Sequence, residues 1–267
     1  MQQSQKTGSL FEKIAELQET LKQQGDENKR EKIALFDLDN TLLIGDIGDA
    51  VFAQLLLDNA PVSFSWREYR ALISAKKKRE AYERVVTAMA GLPVDMLIDT
   101  TRRVMSCGAS VLKLPEAEVP VPVPHPVMQE LVLLLKSLDY NIYVISATNQ
   151  YSVRFVAGEY FDLPESHVYG IRQTVQERRG PGKGADMILE DTLVPPVTVS
   201  GGKAELYKKY ISSTPPLITA GDSETDIPML NLTGRPGLVI WVGTDEKRYE
   251  SIKEEIEYPD SLIFFCR

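Results

Sequence analysis

The chain has 267 residues, 43% hydrophobic and 25% charged, which suffices for one sizeable core with a smaller unit attached and excludes a disordered protein. Its formal net charge of -8 repels polyanions at a distance, which argues against broad nucleic-acid or anionic-membrane binding. No run approaches the roughly 20 apolar residues that span a bilayer, and the polar start MQQSQKTGS has no leader pattern, so a cytoplasmic location is expected.

Residues 1–30 are rich in Gln, Lys and Glu, with Leu10, Ile14, Leu17 and Leu21 at helical spacing. They predict an amphipathic leading helix that packs on its own domain rather than on a partner. A short apolar run, 33–36, stops abruptly at Asp37 and Asp39, the mark of a buried strand with functional groups at its tip. From about 48 to 103 the pattern is helical, over 50–57, 66–74, 77–89 and 94–105, with Pro and Gly between. Prolines at 115, 120, 122, 124 and 126 predict a stiff extended connector, of which His125 is a part.

A helix over 126–138 begins with proline, which suits the first helical position. A strand over 141–145 ending at Ser146, a helix over 151–160 and a strand over 168–171 follow. Next come a helix over 204–210 and strands over 217–220 and 238–242. Between them, 176–196, with Arg178-Arg179-Gly180-Pro181-Gly182, has poor periodicity and reads as a surface insertion or an irregular hairpin. Strands alternating with helices imply an α/β fold: a doubly wound, mostly parallel sheet whose ligands lie beyond the carboxyl ends of its strands. The expected division is 1–30 as an extension, 31–47 and 126–267 as the α/β core, and 48–125 as an inserted helical cap with its hinge. Cys107 and Cys266, with two histidines, have neither disulfide-framework nor zinc spacing.

Four constellations carry chemistry. In Asp37-Leu38-Asp39-Asn40-Thr41, alternation along an extended backbone puts two carboxylates on one side, and paired carboxylates attract a hard cation such as Mg²⁺, which prefers oxygen ligands. In Gly221-Asp222-Ser223-Glu224-Thr225-Asp226, glycine permits a tight turn and two carboxylates lie four residues apart; acidic residues complementing a helix N-terminus are the simpler explanation if it stands alone. Ser146, with Ala147, Thr148 and Asn149 opening a helix, offers a hydroxyl beside backbone N–H groups, an anion site or a plain N-cap. Lys203, after Gly201 and Gly202, would neutralise phosphate oxygens at another helix start, or be an ordinary surface lysine.

The order of these motifs along the chain resembles that of the haloacid dehalogenase superfamily, over residues 33–230. The helical insert and Ile145-Ser146-Ala147-Thr148-Asn149 look like its phosphoserine phosphatase branch and relatives acting on phosphocholine or phosphoethanolamine. The resemblance implies an Mg²⁺-dependent phosphatase acting on a small phosphate ester. In it Asp37 is the nucleophile, forming an aspartyl phosphate, and Asp39 the general acid and base. Mg²⁺ would be held by Asp37, the Asp39 backbone carbonyl, Asp222 and Asp226, the last directly or through water. Ser146, Ala147 and Lys203 would bind the phosphoryl group, and Thr41 would orient the loop. Family dehalogenases lack an aspartate at position 39, so Asp39 favours phosphoryl chemistry. Transfer to an alcohol, or a non-catalytic binding role, are the alternatives.

Specificity is expected in the insert. Asp46 occupies about the place of the acidic residue that binds the substrate amine in phosphoserine phosphatases, and Arg84 resembles the arginine that pairs with the substrate carboxylate, offset by one residue. A choline-like group would instead want an aromatic cage, for which Trp66, Tyr69 or Tyr82 with Asp46 or Asp49 are available, although aromatics in such an insert are more often core. The run Lys76 to Arg79 reads as a solvated helix face.

Overall fold

A computed structural model describes residues 2–25, 30–179, 185–243, 246–257 and 262–266. The segment Gly180-Pro181-Gly182 lies outside them. The chain divides into two compact units. One comprises Met1–Ile44, Pro124–Ile145 and Ser200–Arg267; the other comprises Gly45–Val123 and Ser146–Val199.

In the first unit the apolar run forms β1 (Ile33–Phe36), every residue of it fully buried, as expected of a strand covered on both faces. β2 (Asn141–Asn149) pairs with it in parallel, Ile33 opposite Asn141 and Phe36 opposite Val144. On its other side lies β3 (Ile218–Gly221), with Phe36 opposite Ala220. Then come β4 (Leu238–Gly243) and β5 (Leu262–Cys266), both parallel. This is the parallel α/β sheet expected from the sequence, with one strand, β5, beyond those its pattern marks. Because β1 and β3 run the same way in matched register, Asp37 and Asp222 leave the sheet at the same end.

Helix Pro126–Ser137 starts with proline in its first turn and buries Met128, Leu131, Val132 and Leu135. The leading helix, Gln2–Gln23, buries Leu10, Ile14, Leu17 and Leu21 to 6% exposure or less and lies on β4 and β5. Gln18 donates from Nε2 to the Tyr140 hydroxyl at 2.8 Å. Each such buried aliphatic side chain stabilises by about 2 kcal/mol, so this helix belongs to its own unit, as its spacing predicts. No helix among the described residues is long and apolar enough to cross a membrane.

The second unit contains helices Ile47–Leu57, Trp66–Ser74, Lys78–Thr87 and Val94–Ser106. The second of these starts where Ser65 and Glu68 form a reciprocal capping box, which satisfies two N–H groups that would otherwise lack helical partners. The expected connector over 114–126 is partly an antiparallel hairpin, Val111–Leu114 with Ala117–Pro120. Pro120 is tolerated because it closes its strand.

The sequence pattern assigns 146–199 to the α/β core; Val168–Ile171 does join the six-stranded sheet, while the segment as a whole groups with the inserted helices in the second unit. The cause is packing that local pattern does not encode. Thr101 donates to the Ser152 hydroxyl at 2.9 Å in a buried contact. Strands Gln173–Arg179 and Ala185–Leu193 form an antiparallel hairpin whose Leu189 exchanges backbone hydrogen bonds with Gly91 and Leu92 at 2.8 and 3.0 Å. Val86, Ile171 and Val199 share one apolar cluster.

A candidate active site at the carboxyl ends of the strands

Asp37 follows β1 directly, its N–H donating to the Ala220 carbonyl at 3.0 Å. The backbone then leaves the strand in one irregular turn over Leu38–Leu42, with Asp39 extended (φ -71°, ψ 128°) and Asn40 left-handed (φ 59°, ψ 4°). Asparagine tolerates that conformation because its short amide compensates locally. Leu38, Thr41 and Leu42 are buried under the turn, fixing Asp37 on a rigid support.

Lys203 lies in helix Gly201–Leu206 with its side chain only 1% exposed. Its Nζ donates to Asp37 Oδ1 and to Asp226 Oδ1, each at 2.6 Å. The second oxygen of Asp226 accepts from the N–H groups of Asp222 and Ser223 at 3.2 and 3.0 Å and from the Ser223 hydroxyl at 3.1 Å. Glycine at 221 is a steric requirement here, since a Cβ on it would lie 2.6 Å from the Cβ of Asp226.

One oxygen each from Asp37, Asp222 and Asp226 lies within 4.8 Å of the others. Burial, the largest influence, pushes the Asp37 carboxyl well above the usual carboxylate range; Lys203 opposes this, while Asp226 and Asp39 add to it. Burial also works against the Lys203 ammonium, but Asp226 and Asp37 outweigh it and hold the proton more tightly than on an ordinary lysine. One ammonium among several carboxylates leaves negative charge in excess. That set of hard oxygen donors fits a divalent cation. Asp226, with both oxygens engaged by protein donors, is suited to holding Lys203 and the 222–223 turn.

Asp37, Lys203, Asp222 and Asp226 are thus brought together in the first unit. Ser146 lies two residues beyond Val144, the register partner of Phe36, and belongs to the second unit. It is inside β2 rather than at a helix start: the strand continues to Asn149, which is the actual N-cap and accepts from Tyr151 N–H at 2.9 Å. The Ser146 hydroxyl accepts from Thr148 N–H at 3.0 Å. Ala147 turns its methyl toward the Val86–Ile171–Val199 cluster, so any anion contact there falls to its backbone.

Among the residues proposed for specificity, Asp46 caps helix Ile47–Leu57 by accepting from Asp49 N–H at 2.8 Å. Asp49 accepts from the Tyr69 hydroxyl at 2.5 Å. The phenol is raised above its usual range, first by burial and then by Asp49 and Asp46. Trp66 and Tyr69 are 5% and 3% exposed and pack on Phe52, as does Phe64, at centroid separations of 5.9 to 6.0 Å. They form a buried cluster, not an open cage. Arg84 lies 4.3 Å over the Phe64 ring and 3.9 Å from Glu68. Around the basic run, Lys77 pairs with Glu80 and Arg79 with Glu83 along one helix face.

Two neighbours of these residues, Ser223 and Thr198, are not marked by the sequence reading. Ser223 lies within a recognised motif, and its hydroxyl donates to Asp226. Thr198 showed only as a polar residue between Val197 and Val199.

Comparison with known proteins agrees with this geometry. Residues 34–231 match the sequence profile of the haloacid dehalogenase-like hydrolases. No functionally curated protein matches at significant similarity. Among solved structures, a protein of unknown function from Anaerococcus prevotii DSM 20548 is 14% identical with a TM-score of 0.62, covering 89% of this chain and 90% of its own. A protein of unknown function from Bordetella pertussis Tohama I is 16% identical with a TM-score of 0.59, covering 88% and 99%. A phosphoserine phosphatase described as a phospho-aspartyl intermediate analogue is 18% identical with a TM-score of 0.56, covering 90% and 95%. These likenesses are of fold. With its motifs spread over the matched span and four of their side chains gathered beyond β1 and β3, this chain belongs to the haloacid dehalogenase-like hydrolases.

Proposed function

We propose that the protein is an Mg²⁺-dependent phosphomonoesterase that hydrolyses a small phosphorylated metabolite through a phosphoryl group carried on Asp37. The observation that carries the reading is the buried Asp37 carboxylate, held by Lys203 at 2.6 Å in a cluster with Asp222 and Asp226. A carboxylate fixed at a strand end with its charge only partly offset is arranged to attack an electrophile.

In the first step an Asp37 oxygen bonds to phosphorus as the ester P–O bond breaks, and Asp39 gives its proton to the departing alkoxide. In the second, Asp39 takes a proton from water, whose oxygen attacks the phosphorus of the acyl phosphate. The Asp37–phosphoryl bond breaks, releasing inorganic phosphate and the free carboxylate. Lys203 orients Asp37 and offsets charge on the transferring oxygens. Ser146 and the backbone N–H groups after it bind the phosphoryl oxygens. Asp37, Asp222 and the Asp39 carbonyl would hold Mg²⁺, with Asp226 directly or through water. When bound, the ion supplies charge neutralisation and orients the phosphate.

The similar structure described as a phospho-aspartyl intermediate analogue of phosphoserine phosphatase supports a covalent aspartyl step here. A panel of phosphate esters including phosphoserine, phosphocholine and phosphoethanolamine, run with Mg²⁺, tests the proposal. Phosphate release by the native protein and none by Asp37→Asn is expected; failure on every ester would overturn it.

A further inference from the structure

The second unit carries a buried polar contact that the chemistry above does not use. The chain leaves this unit at Val199 and enters it again, from β2, at Ser146. These two crossing points are tied by one hydrogen bond: Thr198 donates from Oγ1 to the Ser146 carbonyl at 2.6 Å, and both residues are fully buried. The bond spans 52 positions of sequence. Thr198 is flanked by Val197 and Val199, both in the apolar cluster with Val86, Ile171 and Ala147. A hydroxyl between two such valines needs a partner, since an unpaired buried polar group is costly.

We propose that Thr198 is a positioning residue for phosphate binding, setting the orientation of the peptide that follows Ser146. This rests on the reading of Ser146 as a phosphate-binding residue. The Ser146 carbonyl belongs to the same rigid peptide plane as the N–H of Ala147. Fixing that oxygen therefore fixes the direction of the Ala147 N–H, which points the opposite way across the plane. On the other side of the residue, the Ser146 hydroxyl accepts from Thr148 N–H at 3.0 Å. An accepted bond polarises a hydroxyl toward donating its own proton. One bond thus aims a backbone donor, and the other prepares a side-chain donor.

Backbone rigidity here comes from two further close approaches. A Cβ on Gly170 would lie 2.5 Å from the Thr148 carbonyl oxygen, and one on Gly48 would lie 2.5 Å from Thr148 Oγ1. The segment is therefore clamped at Thr148, and Thr198 is its clamp at Ser146.

The test compares Thr198→Val, which keeps the shape and removes the donor, with Thr198→Ser, which keeps the donor and removes a methyl. Inorganic phosphate binding is measured by calorimetry in the presence of Mg²⁺, alongside KM, kcat and thermal melting. We expect Thr198→Val to weaken phosphate binding and raise KM by about tenfold, the effect of one misaligned hydrogen-bond donor, with a smaller change in kcat. Thr198→Ser should bind phosphate within about twofold of the native protein, well inside the loss expected for the missing bond. A Thr198→Val protein that melts lower but binds phosphate normally would overturn the proposal, leaving a merely structural hydroxyl. So would Thr198→Ser behaving like Thr198→Val. If Thr198→Val does not fold, Thr198→Cys, with a weak S–H donor, should fall between the native protein and a full loss; unchanged binding in it would count against the proposal. Because calorimetry reads phosphate without turnover, an inactive native protein that still binds phosphate would count against the hydrolase reading alone.

Discussion

Replacing Lys203 with methionine keeps most of the side-chain volume and deletes the ammonium between Asp37 and Asp226. Both contacts are 2.6 Å long, and the three side chains are exposed by 7% or less. Breaking a buried ion pair costs about 3–5 kcal/mol, because the remaining charge stays buried and uncompensated. For a unit of this size that is a fall in melting temperature of roughly 10 °C. The loss should depend on pH. The Asp37 carboxyl, raised in the folded state above its unfolded value of 3.8, binds more protons folded than unfolded, so stability falls as pH rises above that value. Lys203→Met should steepen that fall. Adding Asp226→Asn to Lys203→Met should regain part of the loss, a non-additivity of about 0.5–3 kcal/mol. Thermal or urea unfolding across pH, without divalent cation, measures all three effects. A variant within about 1 kcal/mol of native, the worth of an exposed pair, and with an unchanged pH slope would refute the reasoning.

Three further outcomes are expected. Asp39→Asn should lower kcat on the best ester by about 10²–10⁴-fold, the range for a lost general acid and base; steady-state kinetics measures it. Gly221→Ala forces the new Cβ against Asp226, and overpacking of that kind costs about 1–3 kcal/mol, read as a lower melting temperature together with weaker Mg²⁺ activation. In cation-free native protein, the raised Asp37 carboxyl makes stability fall as pH rises above its unfolded value of 3.8. Asp37→Asn should flatten that slope, which melting curves in chelator at a series of pH values would register.

Much of the first unit was legible in the sequence because its signals are local. Ile33–Phe36 is an unbroken apolar run ended by aspartate, and Gly221 marks a sharp turn after another such run. The leading helix declared itself through four apolar residues at helical spacing. What the sequence does not show depends on distant partners. Ser146 was expected at a helix start, but β2 runs on to Asn149 because Gly48 and Gly170 leave room beside Thr148, and neither glycine signals that in its own neighbourhood. Lys203 has the sequence context of a surface residue. Its burial follows from Asp37 and Asp226, 166 and 23 positions away.

In the second unit, helices were readable from periodicity while their partners were not. The Gln173–Arg179 and Ala185–Leu193 hairpin alternates weakly, since its residues divide between the helices and solvent, and its assignment needs the backbone bonds of Leu189 to Gly91 and Leu92. Phe52 and Phe64 carry no signal of their own beside Trp66 and Tyr69 for a similar reason: the stacking that joins them appears only when the helices fold together. Asp46 and Asp49 stood out as carboxylates near the nucleophile in sequence; their capping and Tyr69 contacts are set by the helix they begin.

Acid-quenched enzyme, mixed briefly with a hydrolysed ester and Mg²⁺ and then mapped by peptide mass spectrometry, tests the covalent role of Asp37 most directly. The account predicts a phosphoryl group on the peptide containing Asp37, absent when Asp37→Asn is treated alike. Rapid ester hydrolysis with the phosphoryl group on another residue would contradict it.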